Sequence, residues 1–508
     1  MTRPFTDYAD ILQKHAATRG RHPALFFENE QISYALLEEN VNRSGNMLKS
    51  LGLCPGDRLL LALPDCPDAF YAFLGAMKCG VCPVLLSPGL SRESYAYILR
   101  DATPAAVFTT GASAALKAGA GSRLITLCID DPHYADLRAK ASGSLVSSPP
   151  SADGVDFLLY SSGSTGVPKG VPHSQGQMLF CAEQYAGQVL GMSADDICLS
   201  AGNLHFAYGL GNSLIFPLYF GASTVLNPRS SGPADIFYLL QLMAERRPTL
   251  FFAVPTLYQM LVKTMDEATA FASVRLCVSA GEALPQGLYH QWQHLTGLPL
   301  LDGIGSTEAL HIFISNRPGL TLPGRTGFVV PGYEARIIGE DGLPQPSGHP
   351  GSLLIRGKST APFYWNQPEK TAETMRADGW LDTGDVFIEE EGCYAYQGRR
   401  DDLFKSGGNW VSPHRIEQVL GQHPAVRECA VTSRSVDGLQ KPVAFVVIQP
   451  GYESETGLPR RMRSFILEQL PAYLCPAQFI FTEMIPRTET GKIKRSALVD
   501  TSTIGKHP

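Results

Sequence analysis

The sequence predicts an α/β fold: a large N-terminal domain of layered, mostly parallel sheets plus a β-rich subdomain, followed by a small α+β domain. Three observations carry this. Short apolar runs alternate with helical patterns from Asp57 onward, residues 351–396 turn β-rich without long helices, and the pattern changes again after Gly398-Arg399. Alternation of strand and helix is the mark of α/β layers with parallel strands.

The elements follow in order. Arg58 to Leu63 reads as a strand, Pro67 to Cys79 as a helix, Pro83 to Leu86 as a strand and Ser91 to Arg100 as a helix. Ala141 to Asp153, rich in Ser, Pro and Ala, is expected to be an exposed connection between two sheets. Val155 to Tyr160 has the composition of a buried strand. Ser174 is placed to cap a helix running to about Leu190. Thr249 to Val254 and Val274 to Ser279 are further strands. In the last part, Pro413 to Leu420 and Met462 to Leu470 read as helices, and Arg427 to Thr432, Val443 to Ile448 and Ala477 to Thr482 as strands. That is a compact unit of about one hundred residues, a usual domain size.

Composition narrows the class. A chain of 508 residues with 44% hydrophobic residues has enough apolar mass for more than one domain and a large core. The net charge of −6 offers no footprint for nucleic acid. No stretch approaches the ~20 apolar residues of a membrane span, and no signal-peptide core opens the chain. A cytoplasmic enzyme with no membrane partner is expected. The eleven cysteines are scattered. Cys79 and Cys82 form a CxxC with apolar flanks and no second pair, so reduced, partly buried thiols are expected. His290 and His294 have metal-ligand spacing, but without the glutamate of HExxH they read as a half-exposed helix face.

Tyr160 to Gly170 reads YSSGSTGVPKG. Gly163 and Gly166 permit backbone angles that other residues resist. Ser161, Ser162, Ser164 and Thr165 add hydroxyls to a row of backbone N–H donors, and Lys169 adds a positive charge. Oriented amides with a cation suit a polyphosphate. The spacing is not that of the common P-loop, and a Ser/Gly-rich stretch by itself is as compatible with a surface linker.

Four more segments follow: SAGEALP (279–285), DGIGSTE (302–308), DTGD (382–385) with GRRDDLFKSGG (398–408), and PRTETGKIKR (486–495). With the Ser/Gly loop, in this order, they resemble the adenylate-forming superfamily of acyl-CoA synthetases, adenylation domains and firefly-type luciferases. The resemblance extends over nearly the whole chain. It implies an N-terminal domain over 1–400 with the nucleotide and acyl sites, and a small mobile C-terminal domain over 401–508, with a hinge at Asp401. It also implies ATP, Mg²⁺ and coenzyme A as the reaction's small-molecule partners.

The chemistry has a clear physical demand. A carboxylate is a poor electrophile, because its charge repels nucleophiles and oxide is a poor leaving group. Attack on the α-phosphate of ATP makes a mixed anhydride and releases pyrophosphate, after which a thiolate displaces AMP. The protein mainly positions groups and stabilises charge at the α-phosphorus. By the resemblance, Lys492 bridges the substrate carboxylate and the α-phosphate. Glu308 and Thr165 hold Mg²⁺, and Thr307 touches the α-phosphate. Asp385 accepts the ribose hydroxyls, and Arg399 reaches the same ribose. Adenine lies against Ala280, Gly281 and Glu282, with Asp302 at its amino edge. Ile304 stands where many members carry a tyrosine that stacks on adenine. Lys405, Gly407 and Gly408 belong to the thiol's approach.

The stretches GIGSTEALHIFISN (303–316) and HFAYGLGNSLIFPL (205–218) resemble the benzoate-CoA ligase branch and its anthranilate-activating relatives. Ala207, Tyr208, Gly305, His311 and Ile312 would then line a short slot for a flat aryl acid. Tyr208 as core and His311 as a satisfied buried histidine stand as alternatives, and His205 faces either the pocket or the pantetheine channel. The expected activity is an aryl-CoA ligase for a benzoate-type or 2-aminobenzoate-like acid. The other reading is an enzyme that loads the aryl group onto a carrier-protein thiol. A regulator without chemistry is disfavoured by Lys492, Glu308, Asp385 and Lys169 together. Ring substitution and oligomeric state, monomer or homodimer, are left open.

Overall fold

A computed structural model of the chain describes residues 7–111, 124–149, 154–162, 167–229, 235–407, 409–436, 438–452, 455–487 and 493–499. Contacts divide it into two compact units. One comprises Met1–Leu284, Leu288–Ala335 and Ile355–Leu381; the other comprises Pro285–Gly287, Arg336–Leu354 and Asp382–Pro508.

The strands, in chain order, are β1 (Pro23–Phe27), β2 (Glu30–Ser33), β3 (Arg58–Ala62), β4 (Cys82–Leu85), β5 (Ala106–Thr109), β6 (Ile125–Cys128), β7 (Phe157–Ser162) and β8 (Pro168–His173). They continue with β9 (Ile197–Ser200), β10 (Ser223–Leu226), β11 (Leu250–Ala253), β12 (Leu276–Ser279), β13 (Leu300–Gly305), β14 (Ile312–Ser315) and β15 (Phe328–Val329). A six-stranded sheet has the order β6-β5-β3-β4-β7-β8, and a nine-stranded sheet has the order β15-β14-β13-β12-β11-β9-β10-β1-β2. Both are parallel through the middle; the nine-stranded sheet has antiparallel strands at both ends, and the six-stranded sheet only at β8, its other edge β6 being parallel. The central strands are buried along their length, β4, β5, β11 and β12 entirely so. Their continuous apolar runs match sheets covered on both faces.

Local chemistry sets the element ends. The helix Pro67–Lys78 starts on a proline at its first turn and is buried at every position except Asp68, as expected of a helix apolar on nearly every face. The helix Arg92–Ala102 is capped by Ser91, which accepts from the Ser94 N–H, and it stops at left-handed Thr103. Its Tyr95 and Ile98 pack with Leu60, Val84, Val107 and Leu158 of the six-stranded sheet. The helix Gln175–Cys181 opens on a capping box between Ser174 and Gln177. It does not run as one α-helix to Leu190 but passes into a π-turn at Ala182–Gly187. Under the nine-stranded sheet, Trp292 sits edge-on to Tyr258 and Phe271, with centroids at 4.7 and 5.0 Å.

One connection differs from expectation. The segment after the helix Pro132–Lys140 leads to β7, which pairs with β4 of the same six-stranded sheet, so it does not pass between sheets. Its Ser, Pro and Ala content marks irregular backbone but says nothing of the next strand's partner.

Beyond these, β16 (Glu334–Ile338), β17 (Gly351–Arg356), β18 (Leu381–Glu390) and β19 (Cys393–Arg399) form a four-stranded sheet. Then come the pair β20 (Phe404–Ser406) and β21 (Asn409–Val411), and the sheet β22 (Val426–Val436), β23 (Leu439–Ile448) and β24 (Gln478–Phe481). The helices Pro413–Leu420 and Leu458–Leu467 pack Ile416, Leu420, Met462 and Ile466 into that unit's core. The second helix begins one turn earlier than its sequence pattern suggests, because left-handed Gly457 releases the chain and Leu458 is already buried.

All eleven cysteines are free thiols, and Cys79 and Cys82 are buried. Burial pushes the Cys79 thiol up. His290 and His294 are exposed on the helix Gln286–Thr296. Among the described residues, no helix is long and apolar enough to cross a membrane.

Candidate active site

The strands on either side of the Ser/Gly loop are neighbours in the six-stranded sheet. β7 and β8 pair antiparallel with Tyr160 opposite Gly170 and Ser161 opposite Lys169. Proline as the first residue of β8 suits a position where no ladder N–H is needed. Gly163, Ser164, Thr165 and Gly166 lie outside the described residues, and Ser162 is described only as the last residue of β7. Among the described residues, the Ser161 hydroxyl oxygen is buried without a hydrogen-bond partner.

Lys169 and Glu308, 139 positions apart by their numbers, are brought within 4.0 Å, Nζ to Oε1. Tyr364 stands between them. Its hydroxyl donates to Glu308 Oε1 at 2.7 Å and accepts from Lys169 Nζ at 3.1 Å. The ammonium also lies 4.4 Å from the tyrosine ring centroid, within cation–π range. Glu308 is presented by the 3₁₀ turn Thr307–Ala309, whose start Ser306 caps through its hydroxyl. His173 at the end of β8 donates from Nε2 to the Thr307 carbonyl at 2.8 Å. Burial pulls the His173 imidazole down to about 4, so it is neutral at pH 7. Leu310 then takes φ +65° to turn the chain toward His311, a conformation that a leucine holds only under tertiary constraint.

Ala280, Gly281 and Glu282 follow β12. Gly281 has φ +90°, and Glu282 Oε2 accepts from the Thr256 hydroxyl at 2.7 Å. Asp302 on β13 stands beside Ser279 on β12. Asp302 Oδ1 and Ser279 Oγ are both buried without a partner among the described residues. Burial pushes the Asp302 carboxyl well above its usual range, with a hydrogen bond from the Gly303 backbone opposing it. An unpaired buried acceptor is costly, and an exocyclic amine such as adenine's would satisfy it.

The acyl-site candidates converge around His311. Its ring lies edge-on to Phe216, centroids 4.5 Å apart, with Tyr185 at 5.4 Å and Tyr208 at 5.7 Å. It is buried, and burial pulls it down to about 3, with the Tyr208 backbone working the other way. The imidazole is therefore neutral. Tyr208 is half-buried, edge-on to Phe252, and its hydroxyl donates to the Val278 carbonyl at 3.1 Å. Ala207 and Ile312 are buried beside these groups in the chain. Gly305 pairs with Ile312 across β13 and β14, where the register shifts. His205 packs against Phe206, centroids 4.3 Å apart, and burial pulls it down to about 4.

In the second unit, Asp385 and Arg399 face each other across β18 and β19. Arg399 Nη1 donates to Asp385 Oδ1 at 3.0 Å and to the Thr383 carbonyl at 2.9 Å. Asp401 lies exposed in the turn Arg400–Asp402. Lys405 Nζ lies 4.6 Å from the Trp410 ring centroid, and Gly407 has φ +58° at the turn joining β20 to β21. Gly408 and Lys492 lie outside the described residues. Arg495, from the same motif as Lys492, is a structural tether. It donates to both Glu417 oxygens at 2.6 and 3.0 Å and to Asp402 at 3.1 Å.

Sequence reasoning missed Tyr364, His173 and Gly211. Tyr364 carries no local signal. Gly211 had one, a glycine inside an apolar helical run: a Cβ there would lie 2.2 Å from His311 Cδ2.

The AMP-binding enzyme family matches residues 12–365, and the AMP-binding enzyme C-terminal domain matches residues 415–492. A benzoate–CoA ligase of Thauera aromatica is 40% identical over 494 residues, with 95% of this chain and 93% of that protein aligned. The crystal structure of an anthranilate CoA ligase in complex with anthranoyl-AMP superposes with a TM-score of 0.91 at 34% identity, covering 98% of this chain and 97% of the other. That of a benzoate CoA ligase from Burkholderia xenovorans LB400 gives 0.90 at 37% identity, covering 98% and 100%. The chain belongs to the AMP-binding enzyme family of the adenylate-forming superfamily, in the branch of the benzoate- and anthranilate-CoA ligases.

Proposed function

We propose that the chain is an AMP-forming aryl-CoA ligase that activates a benzoate-type acid, benzoate or a 2-aminobenzoate-like ring, through an aryl-AMP intermediate. The observation that carries the substrate class is the set of rings around His311. Tyr208, Tyr185 and Phe216 surround the neutral imidazole with aromatic walls. A flat ring suits such walls, and a long alkyl chain does not.

ATP and coenzyme A are the co-substrates. Lys169, with the hydroxyls and amides of its loop, binds the distal phosphates. Thr307 meets the α-phosphate, Asp302 the adenine amine beside Ala280, Gly281 and Glu282, and Asp385 with Arg399 the ribose. Among the described residues there is no cluster of three or more acidic, histidine or cysteine ligands. A single carboxylate, Glu308, with Thr165 as companion, fits Mg²⁺, which is commonly held by one or two carboxylates plus substrate phosphates. When bound, that ion neutralises phosphate charge. Lys492 stabilises the charge that develops as the carboxylate attacks phosphorus. Rotation about Asp401 then exchanges Lys492 for the thiol path near Lys405, Gly407 and Gly408.

Incubation with ATP, benzoate and CoA, with mass detection of aryl-AMP and aryl-CoA, tests the proposal. Aryl-AMP without aryl-CoA would point to a carrier-protein thiol. Relative kcat/KM over benzoate, 2-aminobenzoate, 4-substituted benzoates and hexanoate to dodecanoate decides the acid. Preference for the alkyl acids would overturn the aryl reading. Tyr208→Ala should relax rejection of para substituents and weaken benzoate binding.

A further inference from the structure

We infer that Tyr364 is a positioning residue that makes Lys169 and Glu308 one hydrogen-bonded unit, and that this unit couples metal binding to phosphate binding. The inference rests on the proposed assignment of Lys169 to phosphate and Glu308 to Mg²⁺.

The phenol has a single proton, and it is committed to Glu308 Oε1 at 2.7 Å, while a lone pair accepts from Lys169 at 3.1 Å. Lysine and carboxylate stand 4.0 Å apart, too far for a short direct hydrogen bond, so the hydroxyl sets their spacing. Tyr364 is 3% exposed. At that burial charge-assisted hydrogen bonds are strong and directional.

The residues around Tyr364 hold it rigidly against β7 and β8. Its own N–H donates to Thr371 Oγ1 at 2.9 Å. The Trp365 N–H donates to the Gly170 carbonyl at 2.8 Å, next in chain to Lys169. Asp101, on the helix Arg92–Ala102, clasps both sides. Its Oδ2 accepts from the Tyr160 hydroxyl at 2.6 Å. Its carbonyl accepts from Trp365 Nε1 at 3.2 Å and Asn366 Nδ2 at 3.0 Å. Asn366 is held at φ +53° to make this contact. Gly170 is required where the segments cross, since a Cβ would lie 2.9 Å from Trp365 Cβ and 3.2 Å from the Tyr160 ring. Tyr364 therefore cannot drift when its partners change.

Without metal, Glu308 holds part of the lysine's charge. A cation on Glu308 removes that attraction, and the ammonium is then best satisfied by phosphate oxygens. Metal and nucleotide phosphate should therefore favour each other through Tyr364, by one factor whichever is titrated.

The test is calorimetric titration of ATP into the full chain, with excess EDTA and with Mg²⁺. Tyr364→Phe should weaken ATP binding about tenfold with Mg²⁺, the size expected for a lost hydrogen bond to a charged group, and by less than about twofold in EDTA. Its melting temperature should stay at the wild-type value. Asp101→Asn, which alters the clasp and leaves the hydroxyl in place, should give the same Mg²⁺-dependent loss at smaller size. It serves as the second reading should Tyr364→Phe melt low. Equal losses in both buffers, or none in either, would overturn the inference. Glu308→Gln and Lys169→Ala separate the two levels. If both leave ATP binding unchanged, the site assignment fails. If they weaken it and Tyr364→Phe does not, the coupling alone fails.

Discussion

Replacing Gly305 by alanine perturbs the candidate site by a single atom. Gly305 ends β13 and pairs with Ile312 on β14. A Cβ there would lie 2.5 Å from the His311 carbonyl oxygen, 2.7 Å from its carbon and 2.8 Å from the Ile312 nitrogen. All three are backbone atoms, so no rotamer change relieves them. Ordinary contact between carbon and its neighbours needs ~3.5 Å, and the two strand ends must therefore part by about 1 Å. Overpacking of this kind costs ~1–3 kcal/mol, and a weakened strand hydrogen bond adds ~1 kcal/mol, about 2–4 kcal/mol together. The turn bearing Thr307 and Glu308 lies between these strands, so the same shift moves the phosphate side relative to the acyl side. A misplacement of ~1 Å can cost ~10²-fold in rate. Thermal melts and mass-detected aryl-AMP formation read the two effects. Gly176→Ala is the control: in the helix Gln175–Cys181 the nearest atom to its Cβ is 3.7 Å away, and alanine there should be neutral or stabilise by up to ~1 kcal/mol. Wild-type melting with more than a third of the wild-type kcat/KM in Gly305→Ala would refute the reasoning.

Lys492→Ala should lower aryl-AMP formation by at least ~10²–10³ while sparing thioester formation from supplied aryl-AMP; equal loss of both half-reactions removes Lys492 from the adenylation step. Arg495→Ala strands Glu417 and Asp402, whose hydrogen bonds from Arg495 are 2.6 to 3.1 Å long, and should destabilise by ~3 kcal/mol in denaturant titration, near the low end for a broken buried pair because the arginine is 18% exposed. The buried histidines set an acid limit. The unfolded chain takes up their protons near 6.5, whereas folded His173 and His311 resist to about 4 and about 3. Their contribution is complete above 6.5 and lost as pH falls through that window, which urea melts between pH 4 and 8 should show. Asp65 has the opposite sign. It is buried, accepts from the Leu204 N–H at 3.0 Å, and is pushed up to about 7. Its contribution is present below ~4 and lost as pH rises to about 7, by up to ~4 kcal/mol, so Asp65→Asn should gain stability relative to wild type from pH 4 to 7.

The sequence by itself determined what local chemistry encodes. Apolar runs located β3, β4, β11 and β12 to within two residues at either end. Ser91 and Ser174 cap helices because a side-chain oxygen next to a helical pattern answers backbone donors a few residues away. Five short motifs placed the chain in its superfamily, because each needs particular residue types at fixed spacing. Where local rules stop, the expectations failed. The π-turn after Cys181 and the connection from Lys140 back into the same sheet depend on packing partners elsewhere.

Tertiary structure alone decided how the candidate residues act together. Tyr364 lies 195 positions from Lys169 and 56 from Glu308, so no periodicity or cap relates them. Their contact exists because β8, the 307–309 turn and the 364–366 segment are folded against one another. Gly211 is chosen by a ring one hundred residues later, and the upward shift of the Asp302 carboxyl and the downward shift of the His311 imidazole by the loss of water around them. Desolvation and long-range contact are properties of the assembled chain. They leave no pattern in a stretch of sequence, which is why the motifs were legible and the hydrogen-bonded unit of Lys169, Tyr364 and Glu308 was not.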